Sequence, residues 1–192
     1  MAPPTILWFR RDLRLADQAA LVAAAASGPV IPVYILDDET PRHRAMGGAS
    51  RWWLHHSLAR LDESLRARGS RLILRRGRCE EELAKIAEES GADAVHCLRH
   101  YEPWWRNAER AVAKGLDLIC HDGNYLAPPG SVKTGSGGLY KIYTPFWRAL
   151  RDHMPPPAPV DAPECLAVPD NWPASDRLDD WELLPSRPNW AT

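Results

Sequence analysis

Five short apolar runs rich in β-branched and aromatic residues recur along the chain: TILWF (5–9), VIPVYIL (30–36), RLILR (71–75), DAVHCL (93–98) and LDLIC (116–120). Helical patterns separate them. Residues 17–27 are alanine-rich, with Asp17 placed to cap the helix and Gly28 past its end. Over 50–68 the leucines at 54, 58, 61 and 65 share one face, Ser50 can cap, and Gly69 follows. A third helix spans 80–90 and stops at Gly91, and a fourth begins near Pro103, a first-turn position that suits proline. Strands alternating with helices require right-handed βαβ crossovers. These predict an α/β fold, a doubly wound five-stranded parallel sheet in the order 3-2-1-4-5.

That order fixes where a ligand can sit. In open α/β sheets the binding crevice lies beyond the carboxyl ends of the strands where strand order reverses, here between the first and fourth strands. The segment RRDLR (10–14) follows the first strand, DDET (37–40) the second, and RHYEPWW (99–105) the fourth. Their meeting would gather Phe9, Tyr101, Trp104 and Trp105 as flat walls. Arg10, Arg11 and Arg14 would supply cations, and Asp12, Asp37, Asp38 and Glu102 acceptors. Flat walls with cations suit a planar conjugated ligand carrying an anionic tail. Arginines after a strand also form solvated, ion-paired loops, and aromatics there also form core edge; pattern alone weighs the two readings evenly.

Composition narrows the function classes. The chain has 192 residues with 24 Lys+Arg against 25 Asp+Glu. Near-neutral charge argues against a protein that holds nucleic acid over its whole surface, while leaving room for a local basic patch. Cys79, Cys97, Cys120 and Cys165 are dispersed with no CxxC pair, so they predict buried thiols in a reducing cytoplasm rather than a zinc site or a secreted disulfide framework. The histidines at 43, 55, 56, 100 and 121 lack ligand spacing, and no metal site is expected. There is no apolar run of membrane-spanning length and no signal-peptide pattern, which predicts a cytoplasmic protein without a membrane partner.

After residue 122 the βα rhythm stops. The glycines of KTGSGG (133–138) do not end in GK[ST] and no strand feeds a helix there, so they form no phosphate loop and predict a flexible connection. TPFWRALRDH (144–153) predicts a short helix with Thr144 as cap and Pro145 first. Beyond Met154 proline recurs up to Pro188 and no period survives. Tryptophans at 172, 181 and 190 predict an extended strap anchored to a surface, with docking through Trp172 and Trp181. The division is therefore 1–153 for the α/β domain and 154–192 for a Pro-rich linker.

Four motifs in this order, LWFRRDLRLADQAAL, GGASRWWLHHSLARL, RHYEPWWRNAER and GSVKTGSGGLYKIYTPFWRAL, resemble the N-terminal domain of the DNA photolyase and cryptochrome family, over residues 5–153. The resemblance implies a Rossmann-like domain that holds a light-harvesting antenna chromophore and joins, through a long linker, a helical C-terminal domain. That helical domain binds FAD, receives damaged DNA and repairs pyrimidine dimers by light-driven electron transfer. It lies outside this sequence, so FAD and the lyase chemistry are expected there and no catalytic residue here. The antenna site implied comprises Phe9, Arg10, Arg11, Asp37, Asp38, Arg51, Tyr101, Glu102 and Trp104. Arg10 and Arg11 would brace the tail or the domain interface, and Asp12 would steady the loop by pairing with an arginine. Folate-binding relatives follow the Tyr-Glu pair with an Asn-Glu pair, whereas Trp104 and Trp105 stand here; this favours 8-hydroxy-5-deazaflavin or a flavin over methenyltetrahydrofolate. Two other readings remain: cryptochrome-type blue-light signalling, and a stand-alone nucleotide-binding module, which would need the glycine-rich phosphate loop that is missing.

Overall fold

The computed structural model describes residues 2–39, 46–186 and 188–190; His43 and Thr40, named above, lie outside them. The strands are β1 (Thr5–Phe9), β2 (Val30–Leu36), β3 (Ile73–Arg76), β4 (Ala94–Leu98) and β5 (Asp117–His121). They form one parallel sheet in the order β3-β2-β1-β4-β5, as the alternation predicts. Between them run α1 (Ala19–Ser27), α2 (Gly48–Arg66), α3 (Cys79–Ser90) and α4 (Pro103–Val112). Then come α5 (Tyr143–Arg151) and a single 3-10 turn at Leu178–Trp181.

Two of the three inner strands, β1 and β2, show why their sequences read as continuous apolar runs rather than alternating ones. Every residue of β1 and β2 is buried because helices cover both faces. On one face Leu7, Phe9 and Tyr34 pack with the α2 leucines 54, 58, 61 and 65. On the other, Ile6, Trp8, Ile31 and Val33 pack with Leu83 and Ile86 of α3. Gly91 ends α3 in the left-handed conformation, its N–H bonded to Ala87 O, a position where a side chain would cost strain.

Several local expectations are corrected. Asp17 does not cap α1; Gln18 holds the cap position, and Asp17 sits at φ 52, where its N–H donates to Val160 O at 2.8 Å. The starts of α2 and α5 precede Ser50 and Thr144, so neither caps, and Gly47 and Ile142 flank those helices instead. The KTGSGG segment closes on itself: Thr134 N–H donates to Gly138 O at 2.8 Å and Lys133 bridges Leu139. Of the cysteines, Cys79 and Cys97 are buried, but Cys120 is partly exposed and Cys165 exposed.

The strap is built into the core. Leu166, Trp181 and Leu183 are at most 6% exposed and join the α2 face, while Trp172 packs on the opposite face under the Arg71 guanidinium, 4.5 Å from its ring. Alongside β3, Leu74 N–H donates to Ser175 Oγ at 3.0 Å and Asp176 N–H to Leu74 O at 2.8 Å. No helix among the described residues is long and apolar enough to cross a membrane.

Candidate functional site

A cleft of about 1030 Å3 opens over the carboxyl ends of β1 and β2, between the N-terminal half of α2 and the first turns of α4. Its position obeys the switch-point rule, because the chain leaving β1 and the chain leaving β4 diverge there to opposite sides of the sheet. Trp53 of α2 and Trp104 and Trp105 of α4 contribute flat walls, and Tyr34, Leu36 and Leu54 floor it. Trp53 is 69% exposed, a large apolar ring left facing the opening.

Under the cleft lies a buried ionic node. The Arg10 side chain is fully buried; it donates to Glu109 Oε1 at 2.9 Å and to the Leu98 carbonyl, and its guanidinium lies 4.6 Å from the Trp8 ring and 5.3 Å from that of Trp105. Glu109 Oε2 accepts from Arg106. A guanidinium in such a place is affordable only with an anion and a carbonyl facing it. Arg10 thus clamps the end of β1 to the end of β4 and to α4. Asp12, expected to pair with an arginine, instead accepts from the Arg10 backbone N–H at 3.1 Å and from Gln18 Nε2 at 2.7 Å, with His100 Nε2 at 3.3 Å. Burial pushes its carboxyl up, but the hydrogen bonds of His100 and Gln18 and the charges of His100 and Arg10 more than offset this and hold it below the usual range.

The rim is built differently. Arg11, 62% exposed along its side chain, pairs with Glu102 at 2.9 Å and reaches over Trp104, 5.9 Å from its ring. Asp38 receives Arg51 at 2.6 Å and Arg76 at 3.4 Å, and Arg51 also donates to Met46 O. Arg14 donates to the carbonyls of Asp17 and Gly123, tying two loops together. Beside Asp37, burial and that carboxylate push the Cys79 thiol up, so Cys79 remains a neutral packing group.

Of the residues singled out in the sequence, Arg10, Arg11, Asp37, Asp38 and Trp104 converge on the cleft, whereas Arg51 stands outside its lining and reaches it only through the ion pair with Asp38. Phe9 does not: it is 1% exposed in the core against α2, because β1 is the central strand and its last residue is still covered. Tyr101 turns outward, its hydroxyl 3.3 Å from Asp122 and its ring edge-on to Tyr125. Glu102 serves Arg11 from outside the cleft lining. Trp105 faces inward, edge-on to Trp8 at 6.2 Å, so α4 offers Trp104 more fully than Trp105. Trp53 and Glu109 were missed. The WW pair at 52–53 is the signal for Trp53; Glu109, three residues after Arg106, looks like an ordinary helix-surface partner.

The family model of DNA photolyase matches residues 5–164. The deoxyribodipyrimidine photo-lyase of Agrobacterium fabrum is 45% identical over 98% of this chain, which spans 40% of that relative's length. Cryptochrome-1 of Arabidopsis thaliana is 33% identical over 86% of the chain and 27% of its own length. Among solved structures, a bacterial class III photolyase from Agrobacterium tumefaciens superposes with a TM-score of 0.91 at 44% identity, covering all of this chain and 40% of the other. A doubly wound sheet, a walled cleft at its switch point and a family match over most of the sequence agree: the chain belongs to the DNA photolyase family, as its N-terminal α/β domain.

Proposed function

We propose that this domain is the light-harvesting part of a cytoplasmic deoxyribodipyrimidine photolyase, holding an antenna chromophore in the cleft and delivering excitation to FAD in a C-terminal helical domain that engages damaged DNA. The single observation that carries the reading is a cleft of about 1030 Å3 walled by the indoles of Trp53 and Trp104 at the switch point. The residues present fit a fused heteroaromatic ring with an anionic tail. Trp53 and Trp104 offer stacking faces, Asp37 an acceptor for a ring N–H, and Arg11 with the amino end of α2 a place for negative charge. When bound, the pigment absorbs light and passes on its excitation. The protein's part is to fix the ring, keep water from it and hold its orientation through the rigid Arg10–Glu109 clamp. Such transfer needs no acid, base or nucleophile from this chain. Repair is favoured over signalling because the photolyase relative is 45% identical and the cryptochrome 33%.

A flavin or deazaflavin and a reduced folate share a fused pyrimidine-type ring, and the inward turn of Trp105 removes part of the reason to prefer the first. Titration of the purified chain with FMN, an 8-hydroxy-5-deazaflavin and methenyltetrahydrofolate, followed by pigment absorbance and tryptophan quenching, separates them. Trp53→Ala and Trp104→Ala should each weaken the bound pigment about tenfold, the loss of roughly one stacking contact. Failure of all three pigments to bind, or binding indifferent to both substitutions, overturns the antenna site. Blue-light reversal of pyrimidine dimers by this chain alone would overturn the division of labour with the FAD domain.

A further inference from the structure

Cys97 and Cys120 are register partners on the adjacent parallel strands β4 and β5, and their sulfurs lie 3.6 Å apart. Both pack on the face covered by α3 and α4. Paired strands sit about 4.8 Å apart, inside the roughly 4.4–6.8 Å of Cα separation that a disulfide bridges. The two thiols differ in access: Cys97 is fully buried on an inner strand, while Cys120 is partly exposed on the edge strand. We infer that they form an oxidisable dithiol, in which Cys120 is the sulfur attacked by a hydroperoxide and Cys97 is the thiol that resolves it.

The electrostatics agree with that order. With Cys120 as the thiolate the Cys97 S–H donates to it, and with help from the charges of Arg99 and Arg10 this pushes the Cys120 thiol down to about 7 against its partial burial and the Glu109 carboxylate. That hydrogen bond and burial hold Cys97 protonated well above the usual thiol range. The Cys120 thiolate attacks the peroxide O–O bond, giving a sulfenic acid and releasing hydroxide or alkoxide. Cys97 sulfur then displaces the sulfenic oxygen, which leaves as water with the Cys97 proton, and the S–S bond forms. Overall two thiols lose two electrons and the peroxide is reduced; a small dithiol reverses the step.

Glu109 lies within 4.8 Å of both sulfurs, which raises a three-ligand metal site as the competing use. Its two oxygens, however, already receive Arg10 and Arg106. Two fixed guanidinium charges stand where a cation would need room. The dithiol also adjoins the cleft machinery, since the residue after Cys97 is Leu98, whose carbonyl holds Arg10.

The test is peptide mapping after stoichiometric hydrogen peroxide, with alkylation in denaturant before digestion. The expected product is a Cys97–Cys120 cross-linked peptide about 2 Da lighter than the two thiol peptides, reversed by dithiothreitol, with buried Cys79 still free. Cys97→Ser should stop the reaction at a dimedone-trappable sulfenic acid on Cys120, and Cys165→Ser should leave the cross-link intact. Iodoacetamide labelling of Cys120 in the native chain should reach half its limiting rate near pH 7. Four results would each overturn the inference: no cross-link in the wild-type chain, over-oxidation of Cys120 without one, a cross-link that depends on Cys165, or stoichiometric zinc binding that alkylation of Cys120 abolishes.

Discussion

At β3 the edge of the sheet is covered by residues a hundred positions later: Ser175 and Asp176 bond both polar groups of Leu74, and Trp181 and Leu183 fill the adjoining core. At β5 the opposite edge leaves Asp117 and Ile119 exposed. An open strand edge invites pairing with another chain, and proteins blunt it by covering it or by keeping the strand short and charged. This domain uses the first device at one end and a five-residue strand beginning with Asp117 at the other. The difference shows that a Pro-rich segment without regular secondary structure can carry core energy, whereas a regular strand can carry comparatively little.

The most severe way to break that comparison is to end the chain at Met154. Leu166, Trp181 and Leu183 each lose burial worth about 1.5–3 kcal/mol, which together rivals the whole 5–15 kcal/mol margin of an ordinary domain. The truncated chain should lose its cooperative urea transition, measured by tryptophan fluorescence; a midpoint near that of the full chain would show the strap to be an accessory. A matched pair of substitutions sharpens the contrast. Trp181→Ala should cost about 3–5 kcal/mol by removing a 5% exposed ring and the Nε1 bond to Asp176, whereas Ile119→Ala at the other edge should cost under about 1 kcal/mol. Equal costs would erase the distinction between the edges.

The smallest effect is expected at the β5 side as pH falls. His96 and His121 face each other at 3.1 Å; burial, and for His96 also the neighbouring ring, depress both below the ordinary value of 6.5, against weaker opposing pulls from Asp117 and Asp122. The unfolded chain therefore binds protons that the folded one resists. Their contribution is full above about pH 6.5 and is lost as pH falls toward the depressed folded values. His55, depressed by burial and by His56, adds a decline of the same sign. Thermal melts between pH 7 and 5 should fall less steeply for His121→Gln than for the wild-type chain, and parallel slopes would exclude the pair as a source.

The sheet was legible because β1 and β2 are buried on both faces and so display unbroken apolar runs, and α2 because its leucines repeat at helical spacing. Convergence of Arg10, Arg11, Asp37 and Asp38 followed from strand order alone, since each lies just past a strand; Arg51 was implied only by the family resemblance, and it stands outside the lining, bonded to Asp38. The role of Arg10 did not follow. Whether an arginine after β1 faces solvent or clamps Glu109 depends on the packing of α4, which no local pattern encodes. Phe9 was misplaced for the same reason: periodicity gives a face, not how far cover extends beyond the strand end. In the strap, Leu166 and Leu183 lie in short stretches between prolines with no helical or strand period, and only the tryptophans advertised an anchor.

The contact between Leu74 and Ser175 has a consequence in time. On a ribosome adding 5–20 residues per second, roughly forty residues after the α/β part take about 2–8 s to follow. Throughout that interval the β3 edge and the hollow awaiting Trp181 are uncovered, so the nascent chain passes through a window in which a neighbouring chain or a chaperone competes with the strap for the same groups.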